Sequence, residues 1–273
     1  MIKENEKIII FAPHPDDEIL GCAGLIQKII NNMGKVYIVY LTNGDHNQIP
    51  YRIYEKKIIL NPIDYIKLGE IRRKESIEAT RSIKINEKDL IFLGYPDFGT
   101  LKIWENYWRE DDKPFKSFLT RASYVPYKES YSFGKPYVSK SILDDIEKII
   151  KEIKPTKIFI TSNYDTNVDH RALYNFVRIA LLEIQEIKPE VFIYLIHFKN
   201  YPQRNSEKLL ILNLPSVSEW YNISLDNKEI QKKKVAIECF KSQMVFRKNW
   251  FMSFAKENEV FYKEIDVTLD ENL

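Results

Sequence analysis

The sequence predicts an α/β fold, a doubly wound and mostly parallel sheet with helices on both faces. Two observations support this prediction. Five short apolar runs have the length and composition of buried strands, and stretches with a helical period separate them. Turn-forming residues such as Gly, Pro, Asn and Asp end most of these runs. Strands that alternate with helices at this spacing form βαβ units, and such units build parallel sheets.

The predicted elements follow one another in a regular order. They are strand 8–12, helix 16–33, strand 36–41, helix 66–83, strand 90–93, helix 142–153, strand 157–161, helix 169–187 and strand 191–197. We take Ser141 as the N-cap of helix 142–153, and Pro155 marks the end of that helix.

Two stretches interrupt this order. Residues 98–140 have no clear period and are rich in aromatic side chains, which suit either internal packing or stacking against a sugar-like ligand. After Phe198 the pattern loosens until a basic helix near 228–242 and an aromatic segment at 250–254. We therefore predict one Rossmann-like domain over 1–273, with an aromatic-rich insertion or lid at 98–140 and a C-terminal extension, 198–273, packed on the core.

The composition excludes several classes of protein. The chain has 273 residues, and its 41 basic and 39 acidic residues are well mixed, so nothing favours nucleic acid or a membrane surface as a partner. Two cysteines cannot form a disulfide framework and indicate a reducing compartment. The first residues do not resemble a signal peptide, and no apolar run is long enough to span a bilayer. We expect a cytoplasmic protein without a membrane span.

Side chains that can bind a cation follow four of the predicted strands. They are His14 and Asp17 after the first, Asp45 after the second, Asp97 after the third, and Asp169 and His170 after the fourth. Because parallel strands end at one edge of the sheet, these side chains should converge there. Two neutral imidazoles and one carboxylate are a frequent Zn²⁺ ligand set that leaves a position for water. The metal would lower the pKa of that water, and Asp16 is adjacent to take its proton.

Simpler interpretations remain open at this point. The acidic run 16–18 could only complement the dipole of the helix that it begins. The imidazoles of His14 and His170, each beside a carboxylate, favour the metal site. His46 and His197 compete as the third ligand. We expect His46 to face solvent and His197, at the end of an apolar strand, to be half-buried.

Five segments occur in a fixed order along most of the chain. They are Pro13-His14-Pro15-Asp16-Asp17-Glu18, Leu41-Thr42-Asn43-Gly44-Asp45, Glu70-Ile71-Arg72-Arg73-Lys74-Glu75, Leu93-Gly94-Tyr95-Pro96-Asp97, and 165–172. Together they resemble the PIG-L/LmbE-like family of zinc-dependent N-deacetylases. The insertion and the C-terminal third match only a looser subgroup pattern.

The resemblance implies a reaction and the residues that carry it. His14, Asp17 and His170 would ligate Zn²⁺, and Asp16 would be the general base that activates the bound water. The reaction would remove an acetyl group from an N-acetylated amino sugar or from a conjugate of one. The implied partner is thus a small-molecule amino-sugar substrate, and a homo-oligomer remains open.

The resemblance also implies a shell around the metal. Asp45, Arg72 and Asp97 would lie where family members bind the polar head of the substrate, usually sugar hydroxyls. Asp169 would orient His170 or Asp16 without binding the metal itself.

One position departs from the family pattern. The second metal motif commonly reads His-x-Asp-His, and here it reads Asn167-Val168-Asp169-His170. Asn167 can donate a hydrogen bond to an oxyanion but cannot deliver a proton. Either Asp16 returns the proton that it took, or His197 supplies an imidazole, or the activity is weak.

Two other functions compete with the deacetylase. A non-catalytic carbohydrate-binding protein on the same fold would keep the metal ligands for structure alone, an alternative that Asn167 motivates. Two histidines and one carboxylate also describe a non-haem iron oxygenase. The βα alternation and the base beside the ligand set count against the oxygenase.

Overall fold

The computed structural model describes residues 2–263 except residues 110, 112, 204, 216 and 218, so the last ten residues of the predicted extension lie outside the described part. Strands and helices alternate through the first two thirds of the chain, and shorter elements follow. In order they are β1 Lys7–Ala12, α1 Asp17–Asn31, β2 Lys35–Thr42, α2 Gln48–Glu55, α3 Pro62–Ser82, β3 Leu90–Tyr95, α4 Thr100–Asn106, α5 Ser139–Ile153, β4 Lys157–Thr161, α6 Val168–Glu183, β5 Glu190–Tyr194, β6 Trp220–Ser224, α7 Asn227–Glu238, α8 Lys241–Met252 and β7 Asn258–Lys263.

The strands form one seven-stranded sheet in the order β3-β2-β1-β4-β5-β7-β6. The first five are parallel, and β7 pairs antiparallel with both β5 and β6. The predicted doubly wound, mostly parallel α/β fold is confirmed. The strand order reverses between β1 and β4, and ligands of such sheets bind in the crevice outside the carboxyl ends at that point.

The core explains why the strand predictions succeed. Ile9, Phe11, Ile38 and Phe159 are fully buried, since the strands of a parallel sheet are covered on both faces and read as continuous apolar runs. Helices α1, α3 and α7 pack in one group and α4, α5 and α6 in another, while α8 packs on α2 and on α7. None of the helices in the described part of the chain is long and apolar enough to cross a membrane.

The start of α5 corrects one prediction. The helix begins at Ser139 with Val138 as its N-cap, so Ser141 lies inside the first turn and does not cap it. The hydroxyl of Ser139 donates to the carbonyl of Ile103, which fixes the start of α5 against α4. A tertiary contact of this kind cannot be read from the local pattern.

The C-terminal extension completes the sheet through β6 and β7. The basic stretch 228–242 is divided between α7 and α8. On α7, the fully buried Lys233 donates to Glu259 of β7 over 2.7 Å. Glu259 also accepts the main-chain N–H groups of Gly24 and Leu25. Residues far apart in sequence are thereby tied to the middle of α1.

The aromatic insertion divides into a buried and an exposed part. Tyr127 and Tyr137 are buried and join the core, while Phe118 and Phe133 face solvent. Of the described residues in the segment 98–140, only Phe98 lines the active-site cavity described below.

Candidate active site

The turn between β1 and α1 brings the first two candidate ligands together. The main-chain N–H of His14 donates to Asp17 Oδ2 over 3.0 Å, and His14 Nδ1 lies 3.2 Å from the same oxygen. The first turn of α6 supplies His170, whose Nε2 lies 3.2 Å from Asp17 Oδ2. The ligand atoms of these three buried residues all lie within 4.8 Å of one another. A tetrahedral ion with bonds of about 2.0–2.2 Å separates its ligand atoms by roughly 3.3 Å.

A carboxylate faces the remaining nitrogen of each imidazole. His14 Nε2 lies 3.1 Å from Asp97 Oδ1 and 3.4 Å from Asp169 Oδ2. His170 Nδ1 lies 3.0 Å from Asp165 Oδ2. Protons on these outer nitrogens leave the inner nitrogens, beside Asp17, as lone pairs. Neither ring nitrogen of the buried His170 makes a hydrogen bond of standard geometry among the described residues, although a carboxylate lies close to each. Two imidazoles and a carboxylate that converge in this way form a donor set that fits Zn²⁺.

The charges of the cluster also favour a cation. Burial alone would lower the pKa of His170, but Asp165 and Asp17 raise it to about 9. Burial would raise the pKa of Asp17, but His170 and His14 hold it well below its usual value. Carboxylates outnumber imidazoles here, so positive charge is stabilised where the inner nitrogens meet Asp17.

The candidate base, Asp16, is held from two sides. Its carboxylate Oδ2 accepts a hydrogen bond of 2.8 Å from Arg72, whose guanidinium also donates to the carbonyls of Pro15 and Gly44. Its main-chain N–H donates to Glu18 Oε2 over 2.9 Å. Burial raises the pKa of Asp16 to about 7, although Arg72 opposes the shift.

The expected substrate-binding residues occupy different positions. Arg72 and Asp97 line the active-site cavity, while Asp45 is not one of its lining residues. Asp45 accepts the hydroxyl of Tyr127 over 2.6 Å and the main-chain N–H of Asp97 over 3.3 Å. These bonds favour a supporting role for Asp45, behind Asp97.

The expectation for Asp169 requires a correction. We expected its carboxylate to orient His170 or Asp16, but it contacts His14 and accepts the main-chain N–H groups of Phe98 and Thr100. The residue that faces His170 is Asp165, in the loop before α6. The sequence shows both carboxylates in one motif, but only the path of that loop decides which imidazole each one reaches.

Asn167 and His197 both reach the cavity. Asn167 is the N-cap of α6, and its Oδ1 accepts the main-chain N–H of Asp169 over 2.9 Å, so its amide group is the remaining donor. The ring of His197 lies 5.0 Å from that of His170. Burial lowers the pKa of His197 to about 4. His46, which we expected to face solvent, is half-buried, stacks on Phe98 and lines the cavity.

The cavity above the cluster has a volume of about 290 Å³. His14, Asp16 and Asp97 contribute to its polar lining, and α2 and α8 contribute wall residues that include Ile49 and Trp250. This volume is at the lower end of the range for small-molecule sites. The sequence analysis did not identify α2 as a wall, because this helix has only eight residues and leaves Ile49 and Ile53 exposed.

Three solved structures illustrate what the fold resembles. The zinc-inhibited form of teicoplanin deacetylase Orf2 aligns with a TM-score of 0.64 and 16% identity, over 95% of this chain and 99% of that chain. N,N'-diacetylchitobiose deacetylase from Pyrococcus horikoshii gives 0.55 and 18%, over 95% and 84%. The 4-carboxy-2-hydroxymuconate hydratase GalB from Pseudomonas putida gives 0.54 and 15%, over 92% and 83%. At these identities the likeness shows the fold alone, which carries more than one reaction.

The chain is also similar to a curated protein and to a protein family. A putative glucosamine-6-phosphate deaminase-like protein of Bacteroides thetaiotaomicron is 23% identical over 197 residues, 66% of this chain. The match spans only 28% of that relative's length. The family described as "PIG-L: GlcNAc-PI de-N-acetylase" matches residues 9–181, which include His14, Asp16, Asp17 and His170. With this match over more than half of its length, the chain belongs to the PIG-L family.

Proposed function

We propose that this protein is a zinc-dependent hydrolase that removes the acetyl group from an N-acetylated amino sugar or a conjugate of one. One observation carries the proposal. The ligand atoms of His14, Asp17 and His170 lie within 4.8 Å of one another in a member of a de-N-acetylase family, and Asp16 lines the cavity beside them. Two imidazoles and a carboxylate are typical of catalytic zinc with one open position.

The proposed metal ligands are His14 Nδ1, Asp17 Oδ2 and His170 Nε2. Zinc bound there would supply an activated water and polarise the acetamide carbonyl. Asp97 and Asp165 fix the two imidazoles from their outer nitrogens and keep them in one orientation.

Asp16 is the proposed general base. A base is most effective when its pKa lies near the working pH, and burial raises the pKa of Asp16 to about 7. Arg72 holds the Oδ2 of Asp16 over 2.8 Å, which leaves Oδ1 to accept the proton from the attacking water. Arg72 therefore acts on the reaction through the position of Asp16.

Asn167 is the proposed donor to the developing oxyanion. Its Oδ1 caps α6, so the amide group is free to donate into the cavity that it lines. The departing amine needs a proton, and two residues lining the cavity can deliver one. Asp16 can return the proton that it accepted, or His197 can act once it is protonated.

Metal analysis tests the ligand assignment. We expect about one zinc per chain, and we expect His14→Ala and His170→Ala to lose it, because each removes a ligand. His46→Ala is the matched control, since it removes an imidazole that stacks on Phe98 outside the ligand set. Full zinc occupancy in both ligand variants would place the site elsewhere.

Released acetate tests the reaction. The zinc-loaded protein is incubated with a panel of N-acetyl amino sugars and their conjugates, and we expect acetate from at least one of them. A non-catalytic carbohydrate-binding protein, which Asn167 motivates as the alternative, would bind a sugar from the panel and release no acetate. An iron enzyme would consume oxygen and carry iron instead of zinc.

A further inference from the structure

A row of ring contacts leads from the proposed zinc site along one wall of the cavity. The rings of His170 and His197 are 5.0 Å apart, and His197 stacks on Trp250 at 5.2 Å with an angle of 2° between the planes. The guanidinium carbon of Arg247 lies 6.0 Å from the centre of the Trp250 ring. Arg247 is exposed and lines the cavity, so it marks the mouth.

Among the described residues, no carboxylate neutralises the guanidinium of Arg247. Within the described part of the chain, no acidic side chain lies at ion-pair distance from Arg247. Helix α8 carries Lys241, Arg247 and Lys248 but no Asp or Glu. The other arginine in the cavity wall, Arg72, is already bonded to Asp16. The mouth of the cavity thus carries a positive charge, while carboxylates line its floor.

Helix α8 is fixed to its neighbours before it reaches Arg247. The main chain and hydroxyl of Ser242 both donate to Glu75 of α3 over 2.7 Å. Gln243 accepts a hydrogen bond of 2.6 Å from Asn47, beside α2. The helix is then interrupted at Arg247, where φ is −122° and ψ is 29°. Interruptions of this kind inside a helix recur at functional sites.

We propose that the substrate carries an anionic group, a phosphate or a carboxylate, on the side remote from its acetamido group, and that Arg247 binds this group. The inference rests on the proposed deacetylation, which places the acetamide over the zinc ligands. A guanidinium recognises either anion through paired hydrogen bonds. The sugar ring lies between these ends against Trp250, and a cavity of about 290 Å³ suits a single substituted ring.

The test compares neutral and charged substrates. The zinc-loaded protein is assayed with N-acetylglucosamine, its 1- and 6-phosphates and N-acetylmuramic acid, which separate phosphate from carboxylate. We expect kcat/KM to be about tenfold or more higher for at least one anionic substrate than for the neutral sugar. Arg247→Gln should remove most of this ratio, and Arg247→Lys should retain part of it.

Lys248→Gln is the matched control, since it removes the next positive charge on α8, and Lys248 does not line the active-site cavity. Its anionic-to-neutral ratio should stay at the wild-type value. If Lys248→Gln lowered this ratio as much as Arg247→Gln, only the general positive potential of α8 would be responsible. That result would overturn the proposed contact between Arg247 and the anionic group. A wild-type ratio near one would also overturn the inference, while acetate release from the neutral sugar would uphold the proposed reaction.

A binding measurement separates the two proposals. Calorimetry with glucosamine 6-phosphate and glucosamine 1-phosphate does not depend on turnover. We expect Arg247→Gln to weaken the binding of one of them about tenfold, with a dependence on salt. Equal affinities in wild type and Arg247→Gln overturn the role of Arg247 in binding phosphate. Absence of acetate from every substrate counts against the proposed reaction instead.

Discussion

Asp16 has a backbone φ of 127°, a value that residues with a side chain rarely adopt. Its main-chain N–H is held by Glu18, whose other oxygen accepts the hydroxyl of Ser76 over 2.6 Å. The hydroxyls of Ser76 and Tyr40 lie 2.7 Å apart. Backbone strain of this kind costs about 1–3 kcal/mol and persists only where the surroundings enforce it. The buried chain Tyr40–Ser76–Glu18 thereby aims the carboxylate of Asp16.

Replacement of Glu18 tests this positioning role. Glu18→Gln keeps an oxygen that can accept the N–H of Asp16, whereas Glu18→Ala removes it. We expect Glu18→Ala to lower kcat about tenfold or more, with a smaller effect on KM, because the base is misplaced by a fraction of an ångström. Glu18→Gln should restore most of kcat. Equal kcat losses in the two variants, with unchanged melting temperatures, would contradict the role.

Asp16→Asn separates the proposed base from the proposed metal ligands. The amide cannot accept the proton, so we expect kcat to fall by about 10²-fold or more. Zinc content should remain near one per chain, because Asp16 is outside the ligand set. Asp17→Asn should instead lose zinc. If the two variants showed the reverse pattern of metal content, the roles of these neighbours would have to be exchanged.

Asn167 combines a cap with a candidate donor, and two substitutions distinguish them. Asn167→Ser keeps an oxygen that can cap α6, while Asn167→Ala removes both functions. The cap is worth about 1 kcal/mol of stability. We expect both variants to lose about 2–4 kcal/mol of transition-state stabilisation in kcat/KM. Only Asn167→Ala should unfold at a lower urea concentration.

If both Asn167 variants kept the wild-type rate, Asn167 would only cap α6 and would not donate to the oxyanion. Asn167→His should be neutral or faster near neutral pH, since an imidazole can both donate and protonate. If His197 supplies the proton, His197→Ala should be severe, and Asn167→His should partly rescue it.

At the scale of single residues, the sequence predicts some parts of the site but not all of its contacts. The resemblance allows His14, Asp17 and His170 to be proposed as metal ligands, because it implies their positions within two motifs. Asp165 and Asp169 could not be told apart, since each lies within five residues of His170 and the path of one loop decides their contacts. No pattern in the sequence indicates that Arg72 would bond to Asp16, because the two residues are far apart in the chain.

At the scale of elements, the contact between α8 and α3 can be tested by its contribution to stability. Glu75 is largely buried and accepts two hydrogen bonds from Ser242, and burial raises the pKa of this carboxyl. Ser242→Ala removes one donor, and we expect it to destabilise the protein by about 1–3 kcal/mol in urea. The exposed neighbour Lys241→Ala is the control and should change stability by less than about 0.5 kcal/mol. Similar values for both variants would show that the contact contributes nothing.

The elements that could be predicted share one property. Strands β1 to β5 are apolar on both faces, and their runs stand out from the polar turns around them. Strand β6 shows no such run, because Trp220 and Tyr221 are half-buried and Asn222 is exposed. Among the described strands it lies at the edge of the sheet and pairs with β7 alone, so it forms through a tertiary contact that the local sequence pattern does not show. Helix α2 was missed for a similar reason, because it buries mainly Pro50 and Tyr51.

At the scale of the molecule, one buried ion pair joins three segments. Lys233 and Glu259 connect α7 and β7, and Glu259 holds two N–H groups of α1. Lys233→Met leaves the carboxylate buried without its cation, and we expect a loss of about 3–5 kcal/mol in the free energy of unfolding. Lys232→Met, at an exposed position of the same helix, is the control. Equal midpoints in urea for the two variants would contradict this account.

The whole-molecule architecture was accessible from the sequence because alternating elements impose parallel pairing and one hand of crossover. The antiparallel addition of β7 and β6 was not, since it depends on Glu259 and its neighbours finding α1 across more than two hundred residues.

The division of the cavity between two parts of the chain has an evolutionary consequence. The proposed chemistry resides in turns of the parallel half, whereas α8 and its aromatic wall belong to a later segment held by separate contacts. Substitutions at 244–251 can therefore change which ligand binds, while selection preserves the residues of the proposed reactive centre. We expect paralogues of this chain to diverge first along that helix, and grafting it between them should transfer preference without transferring mechanism.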